Sequence, residues 1–134
     1  MVAGTENFFT FRTGEAPSED QLAAFIYHNG PVSAGVGAEV FGLREPGCEE
    51  RQDCFINATS CATVNSIDHS ITLVGYGTDP VKGDYWIIKN SWSEKWANGG
   101  YINVARGVGC AGMCGDSSIC GNVFGHGSPG SYYE

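Results

Sequence analysis

Of the three histidines in the chain, His69 stands where acid–base chemistry could be done. His28 falls near the end of a helical stretch, where a cation complements the helix dipole, and His126 sits in a Gly125-His126-Gly127 tail. His69 follows Asp68 directly and leads into Val74-Gly75-Tyr76-Gly77. A general-base imidazole needs a neighbour that fixes its ring and tautomer, and an amide oxygen serves as well as a carboxylate. Asn90 offers such an amide at the end of the apolar segment Tyr85-Trp86-Ile87-Ile88-Lys89, and Ser91 and Trp92 follow it. An indole there would keep water from the contact. Singly, a strand-opening His, a turn Asn and a core Trp each have a structural explanation. Together, those separate explanations leave the run Asp68-His69, strand, Asn90-Ser91-Trp92 unexplained.

Four segments carry a resemblance: Gly30-Pro31-Val32-Ser33, Asp68-His69-Ser70 running to Gly75-Tyr76-Gly77, Tyr85 to Trp92, and Gly99-Gly100-Tyr101-Ile102. In order and approximate spacing, over roughly Ser18 to Phe124, the chain resembles the C-terminal half of papain-like cysteine peptidases, the papain and cathepsin family. The Asn90-Ser91-Trp92 block with its upstream strand is the most specific match. The resemblance implies an α+β, papain-like fold: a β-barrel-type antiparallel sheet domain with one flanking helix, incomplete without an N-terminal helical half. It makes His69 the catalytic imidazole, Asn90 its orienter and Trp92 the cover. It lines the main substrate pocket with Gly35, Ile67, Asp68, Ser70 and, more loosely, Ile119. Gly35 is small where the family often carries a bulkier apolar residue, so a roomy pocket for large apolar side chains is expected. Family pairing joins Cys61 to Cys114, leaving Cys48–Cys54 and Cys110–Cys120. No metal and no organic cofactor is implied.

Departures from the family pattern are equally informative. Ser93 follows Trp92 and Ala97 follows Trp96, where the family usually has glycine, and a positive φ at Ser93 would strain a side-chain-bearing residue. The larger departure is an absence. The family's nucleophile sits in a Cys-Gly-[Ser/Ala]-Cys-[Trp/Tyr] signature ahead of the histidine. Cys110-Ala111-Gly112-Met113-Cys114 lacks the aromatic residue and follows His69. The base has its orienter but no evident thiol to activate.

The elements that must position these groups can be read from pattern. Ser18 with Gln21 forms a capping box ahead of a helix bearing Leu22, Phe25, Ile26 and Asn29 on one face; Gly30 ends it and Pro31 blocks continuation. Val32, Ala34 and Val36 alternate with Ser33, Gly35 and Gly37 as a strand with one small-residue face. Strands follow at Ile71 to Gly75, at Tyr85 to Lys89 (apolar on both faces, hence interior) and at Tyr101 to Ala105, with a turn-rich stretch from Gly77 to Asp84. Residues 1–134 read as one unit, with an irregular acidic excursion over 42–66 and a loose tail over 125–134.

Composition bounds the rest. Seven basic residues stand against fifteen acidic ones, for a net charge of −8, which argues against nucleic acid and anionic membrane surfaces as partners. Twenty glycines and only 16% charged residues describe a loop-rich, β-leaning protein. No apolar run reaches the ~18 residues a membrane helix needs, and residues 1–12 have no signal-peptide pattern. Six cysteines and the Asn57-Ala58-Thr59 sequon point to disulfides, glycosylation at Asn57 and a secretory, lysosomal or vacuolar route, so the chain is read as a processed piece. The cysteine spacing suits a zinc site poorly.

Three functional readings result. The chain is the histidine-bearing part of a cysteine peptidase, inactive alone, with the nucleophile on an N-terminal half or separate chain and a peptide or protein as substrate. Alternatively it is an inactive papain-like interaction or structural subunit, or a disulfide-rich secreted binding module. Keeping both the Asp68-His69 and Asn90-Ser91-Trp92 segments argues for the first.

Overall fold

The computed structural model describes residues 8–10, 19–59, 61, 68–108, 110 and 123–126. Helix α1 spans Glu19–Asn29 and buries the face formed by Leu22, Phe25 and Ile26. Gly30 ends it as its residue type requires: φ is +90° and its N–H returns to Ile26 O at 2.8 Å. The Asn29 amide nitrogen donates to Phe25 O at 3.1 Å and satisfies another carbonyl of the last turn. Ser18, the expected N-cap, lies outside the described residues.

The strands are β1 Phe8–Thr10, β2 Val32–Val36, β3 Phe55–Ile56, β4 His69–Asp79, β5 Gly83–Lys89, β6 Tyr101–Ala105 and β7 Val123–His126. They form one sheet in the order β1-β7-β2-β4-β5-β6-β3. Each neighbouring pair is antiparallel except β3 and β6, which run parallel. The expectation of an antiparallel sheet therefore fails at this edge. The chain between β3 and β6 contains the whole β4–β5 hairpin, so no tight turn forces the two strands to oppose each other. The tail also differs from expectation: Gly125 and His126 form the end of β7, paired with β1 and β2.

Burial follows from the strand pattern. Val32, Ala34, Val36, Ile71, Leu73, Trp86, Ile88, Ile102 and Val104 build the core with α1 laid across it. Each fully buried apolar side chain of this size contributes about 1.5–3 kcal/mol. Strand β5 is interior by position, but its second face is only half-buried: Trp86 and Ile88 are enclosed, Tyr85 and Ile87 partly so. The Trp86 indole N–H donates to Glu19 Oε1 at 2.8 Å, a buried bond that fixes α1 to the sheet. The turn-rich stretch is mostly strand, since β4 and β5 pair as far as Asp79 opposite Gly83. Gly77 faces Tyr85 there, and a Cβ at Gly77 would stand 2.6 Å from the Tyr85 hydroxyl oxygen.

Over residues 42–59 the excursion holds more regular structure than expected. A 3₁₀ segment at Ala38–Leu43 enters it, helix α2 spans Cys48–Arg51, and β3 follows. Cys48 bonds Cys54. Cys61 bonds Cys110, which corrects the implied Cys61–Cys114 pair and excludes Cys110–Cys120; Cys114 and Cys120 lie outside the described residues. The parallel strands explain the pairing. Ile56 sits beside Val104, and chains leaving β3 and β6 in the same direction carry Cys61 and Cys110 forward together. In the chain-entropy account a loop of this length (sequence separation 49) stabilises by about 4 kcal/mol.

The turn between β4 and β5 is closed by Asp79, whose Oδ1 accepts from the Val81 and Lys82 N–H groups, each at 2.8 Å. The Lys82 and Val81 donors hold the Asp79 carboxyl below its ordinary pKa. A lowered folded-state pKa adds stability above the unfolded value and loses it as pH falls through the folded one. Asp79→Asn is expected to melt below wild type at neutral pH, with the gap closing on acidification below about pH 4. Thermal unfolding across a pH series checks this; a gap constant with pH would remove the charge from the explanation.

Candidate active site

His69 and Asn90 arrive from neighbouring strands of one hairpin. Thr72 pairs with Lys89, so His69, three residues before Thr72, and Asn90, one after Lys89, share the same end. The start of β4 is held to β2 and the 3₁₀ segment by Asp68: its N–H donates to Val36 O at 3.1 Å, and its Oδ1 accepts from the Ala38 N–H at 3.0 Å. Asn90 is held from the other side, its N–H donating to Gly100 O at 3.0 Å. His69 Nε2 then lies 2.7 Å from Asn90 Oδ1. The Ser91 N–H donates to the same oxygen at 2.8 Å, which fixes which end of the amide faces the ring. An amide oxygen only accepts, so Nε2 carries the proton and Nδ1 is left as the basic nitrogen. Asn90 is buried, and its Nδ2 has no partner among the described residues; with Ser91, Glu94, Gly100 and Tyr101 it lines a cleft of about 270 Å³.

Trp92 covers the pair. Its ring stacks on His69 with centroids 4.8 Å apart and planes 29° from parallel. The stack shields one face of the imidazole, while the indole itself remains 44% exposed. Behind it are Phe41 at 5.9 Å and Trp96 at 5.3 Å, both nearly perpendicular to it. Nothing in the sequence pattern singled out Phe41 or Arg44, which reach this cluster from the far end of β2. Arg44 also bonds Glu49 at 2.7 Å and holds that carboxyl below the usual carboxylate range.

Among the residues expected to line a substrate pocket, Gly35 pairs directly with Ser70 across β2 and β4, beside the Val36–His69 pair. Asp68 and Ser70 are exposed and Gly35 is buried. Ile67 and Ile119 lie outside the described residues. Asn57 follows β3 in a surface turn, with the Thr59 hydroxyl donating to its Oδ1 at 2.7 Å. Cys48, Glu49 and Cys54 bring sulfur and carboxylate atoms within 4.8 Å of one another, but both sulfurs are joined in a disulfide, which offers no thiolate to a metal. No helix among the described residues is long and apolar enough to cross a membrane.

The loop after Trp92 adopts the backbone of the glycines it lacks: φ is +90° at Ser93 and +49° at Ala97. Ser93 recovers part of the cost, since its Oγ accepts from the Lys95 N–H at 3.1 Å.

The chain is similar in sequence and fold to known proteins. A family model described as papain family cysteine protease matches residues 4–120, and the chain belongs to that family. A cathepsin L-like protein of Caenorhabditis elegans is 40% identical over 90 residues, 66% of this chain and 24% of that protein. Cysteine proteinase 1 of Zea mays is 31% identical over 131 residues, 92% of this chain and 31% of that protein. The chain thus spans a quarter to a third of the length of these relatives. Among solved structures, digestive procathepsin L 3 of Tenebrio molitor larval midgut superposes with a TM-score of 0.61 at 25% identity, over 90% of this chain and 34% of that one. The bromelain protease of Ananas comosus, solved with the E64 inhibitor, gives 0.61 at 26% identity, over 90% of this chain and 49% of that one.

A strained residue of this kind costs about 1–3 kcal/mol, and a glycine gives back about 0.4–1 kcal/mol through the unfolded chain. Ser93→Gly is expected to raise stability by about 1 kcal/mol. Ala97→Gly is expected to be near neutral, because relief of about 1–2 kcal/mol of left-handed strain is offset by unfolded-state entropy and a lost buried methyl of about 0.8 kcal/mol. Urea unfolding of both variants checks the pair; a Ser93→Gly protein weaker than wild type would mean that the Lys95 contact outweighs the strain.

Proposed function

We propose that this chain supplies the base of a cysteine peptidase, with the nucleophilic thiol coming from a segment or chain outside this sequence. The observation that carries the reading is the 2.7 Å His69–Asn90 bond, which leaves Nδ1 as the basic nitrogen, beneath a stacked indole. All four cysteines among the described residues are in disulfides, so none of them can be the nucleophile.

In this reading Nδ1 takes the thiol proton and forms a thiolate–imidazolium pair. The thiolate attacks the peptide carbonyl carbon, and the imidazolium returns its proton to the departing amine. Water, deprotonated by the regenerated imidazole, then attacks the thioester, and the thiol leaves reprotonated. Asn90 keeps Nε2–H engaged throughout, so the ring cannot rotate out of line. Gly35 and Ser70 lie where a substrate side chain would seat beside the base, and the missing side chain at Gly35 favours large apolar groups there. The two disulfides and the Asn57 sequon fit a secretory or lysosomal route, with a glycan on Asn57.

A thiol-reactive peptidyl epoxide tests the reading. The chain alone is expected to remain unlabelled. Assembled with a thiol-bearing papain-family N-terminal segment, the complex is expected to label on the partner. His69→Ala should slow labelling about 10²–10⁴-fold, the usual worth of a general base, and Asn90→Ala by less. Equal labelling without His69 would remove it as the base. A well-assembled complex that never labels would favour the inactive interaction subunit.

A further inference from the structure

Trp92 is 44% exposed, so burial alone does not hold its ring over His69. Its remaining contacts lead into the 42–66 excursion. Phe41 and Trp96 meet each other at 5.4 Å, and both lie nearly perpendicular to Trp92. The Arg44 guanidinium lies over the Trp96 ring, 5.4 Å from its centre. Arg44 is itself fixed twice more: Nε donates to Glu49 Oε1 at 2.7 Å, and Nη1 donates to Phe41 O at 2.9 Å. Glu49 sits on α2, whose first residue is joined to Cys54 by a disulfide.

The excursion grips the Trp92 loop at two further points. Gln52 Nε2 donates to Ala97 O at 3.2 Å. Cys54 and Asn98 exchange a reciprocal pair: the Cys54 N–H donates to Asn98 Oδ1 at 2.7 Å, and Asn98 Nδ2 donates to Cys54 O at 3.0 Å. An excursion that only needed to fold on itself has no use for three attachments to residues 96–98, more than forty positions away.

We propose that residues 42–54 of the excursion are a clamp on the Trp92 loop, and that Arg44 is its positioning residue, holding the Trp92 indole over the His69–Asn90 hydrogen bond through Trp96. A planar, delocalised guanidinium can lie on the indole while its fork bonds a carboxylate and a carbonyl, which an ammonium cannot do together. The catalytic meaning of the clamp rests on His69 being the base; the clamp itself does not.

Proton NMR of the full chain reads the stack directly. The carbon-bound ring protons of His69, identified by their loss in His69→Asn, are expected to be displaced by the indole ring current, and Trp92→Leu should abolish the displacement. Arg44→Met keeps an apolar stem over Trp96 but removes the fork. It is expected to lose the larger part of the displacement while remaining folded by circular dichroism, and Arg44→Lys should recover little of it. An unchanged His69 shift in folded Arg44→Met overturns the proposal. If Arg44→Met does not fold, Glu49→Gln, which removes only the charged partner of the fork, decides in the same way. A chain whose His69 shift depends on Arg44 but whose complex labels equally well without His69 would keep the clamp and lose the peptidase reading.

Discussion

A hydrogen bond between side chains 21 positions apart survives only if the elements carrying them cannot slide. The His69–Asn90 bond is such a contact, and the β4–β5 register is its condition. A slip of one residue would turn one partner to the opposite face of the sheet. The hairpin resists slipping in several ways. Gly77 leaves the room that the Tyr85 ring occupies, Trp86 is anchored to α1 through Glu19, and the bulge between Leu73 and Gly75 sets the offset on the side of the site. Strand β2 then fixes the start of β4 through Asp68, and the turn at Gly100 fixes the end of β5.

The same logic explains why Asn90 suits this position. A carboxylate there would be a buried charge needing further partners. The amide is neutral, and its oxygen is pinned by the Ser91 N–H at no cost in charge. Its orientation decides the imidazole tautomer, and the tautomer decides which ring nitrogen can act.

Much of this was legible in the sequence because it is local. The helix ending at Gly30, the alternation of Val32, Ala34 and Val36, and the strand before Asn90 are all written in short-range pattern. The juxtaposition of His69, Asn90 and Trp92 was legible through resemblance, and so was the left-handed backbone at Ser93. What failed depended on long-range placement. The Cys61–Cys110 bond follows from a parallel β3–β6 pairing that no periodicity announces. The reciprocal Cys54–Asn98 bonds join residues 44 apart through ordinary polar atoms, and the Asn98 side chain has no special neighbours to mark it. The strand at Val123–His126 hid in a glycine-rich stretch because glycine carries no strand pattern to read.

The parallel strand β3 has a bearing on how this sheet meets other chains. It is two residues long and forms one end of the strand order. Sheet edges recruit foreign strands through rows of unpaired backbone groups, and a two-residue edge presents hardly any. The chain turns away at Asn57 immediately afterwards, into a sequon. This end of the sheet thus offers an extended foreign strand little to pair with.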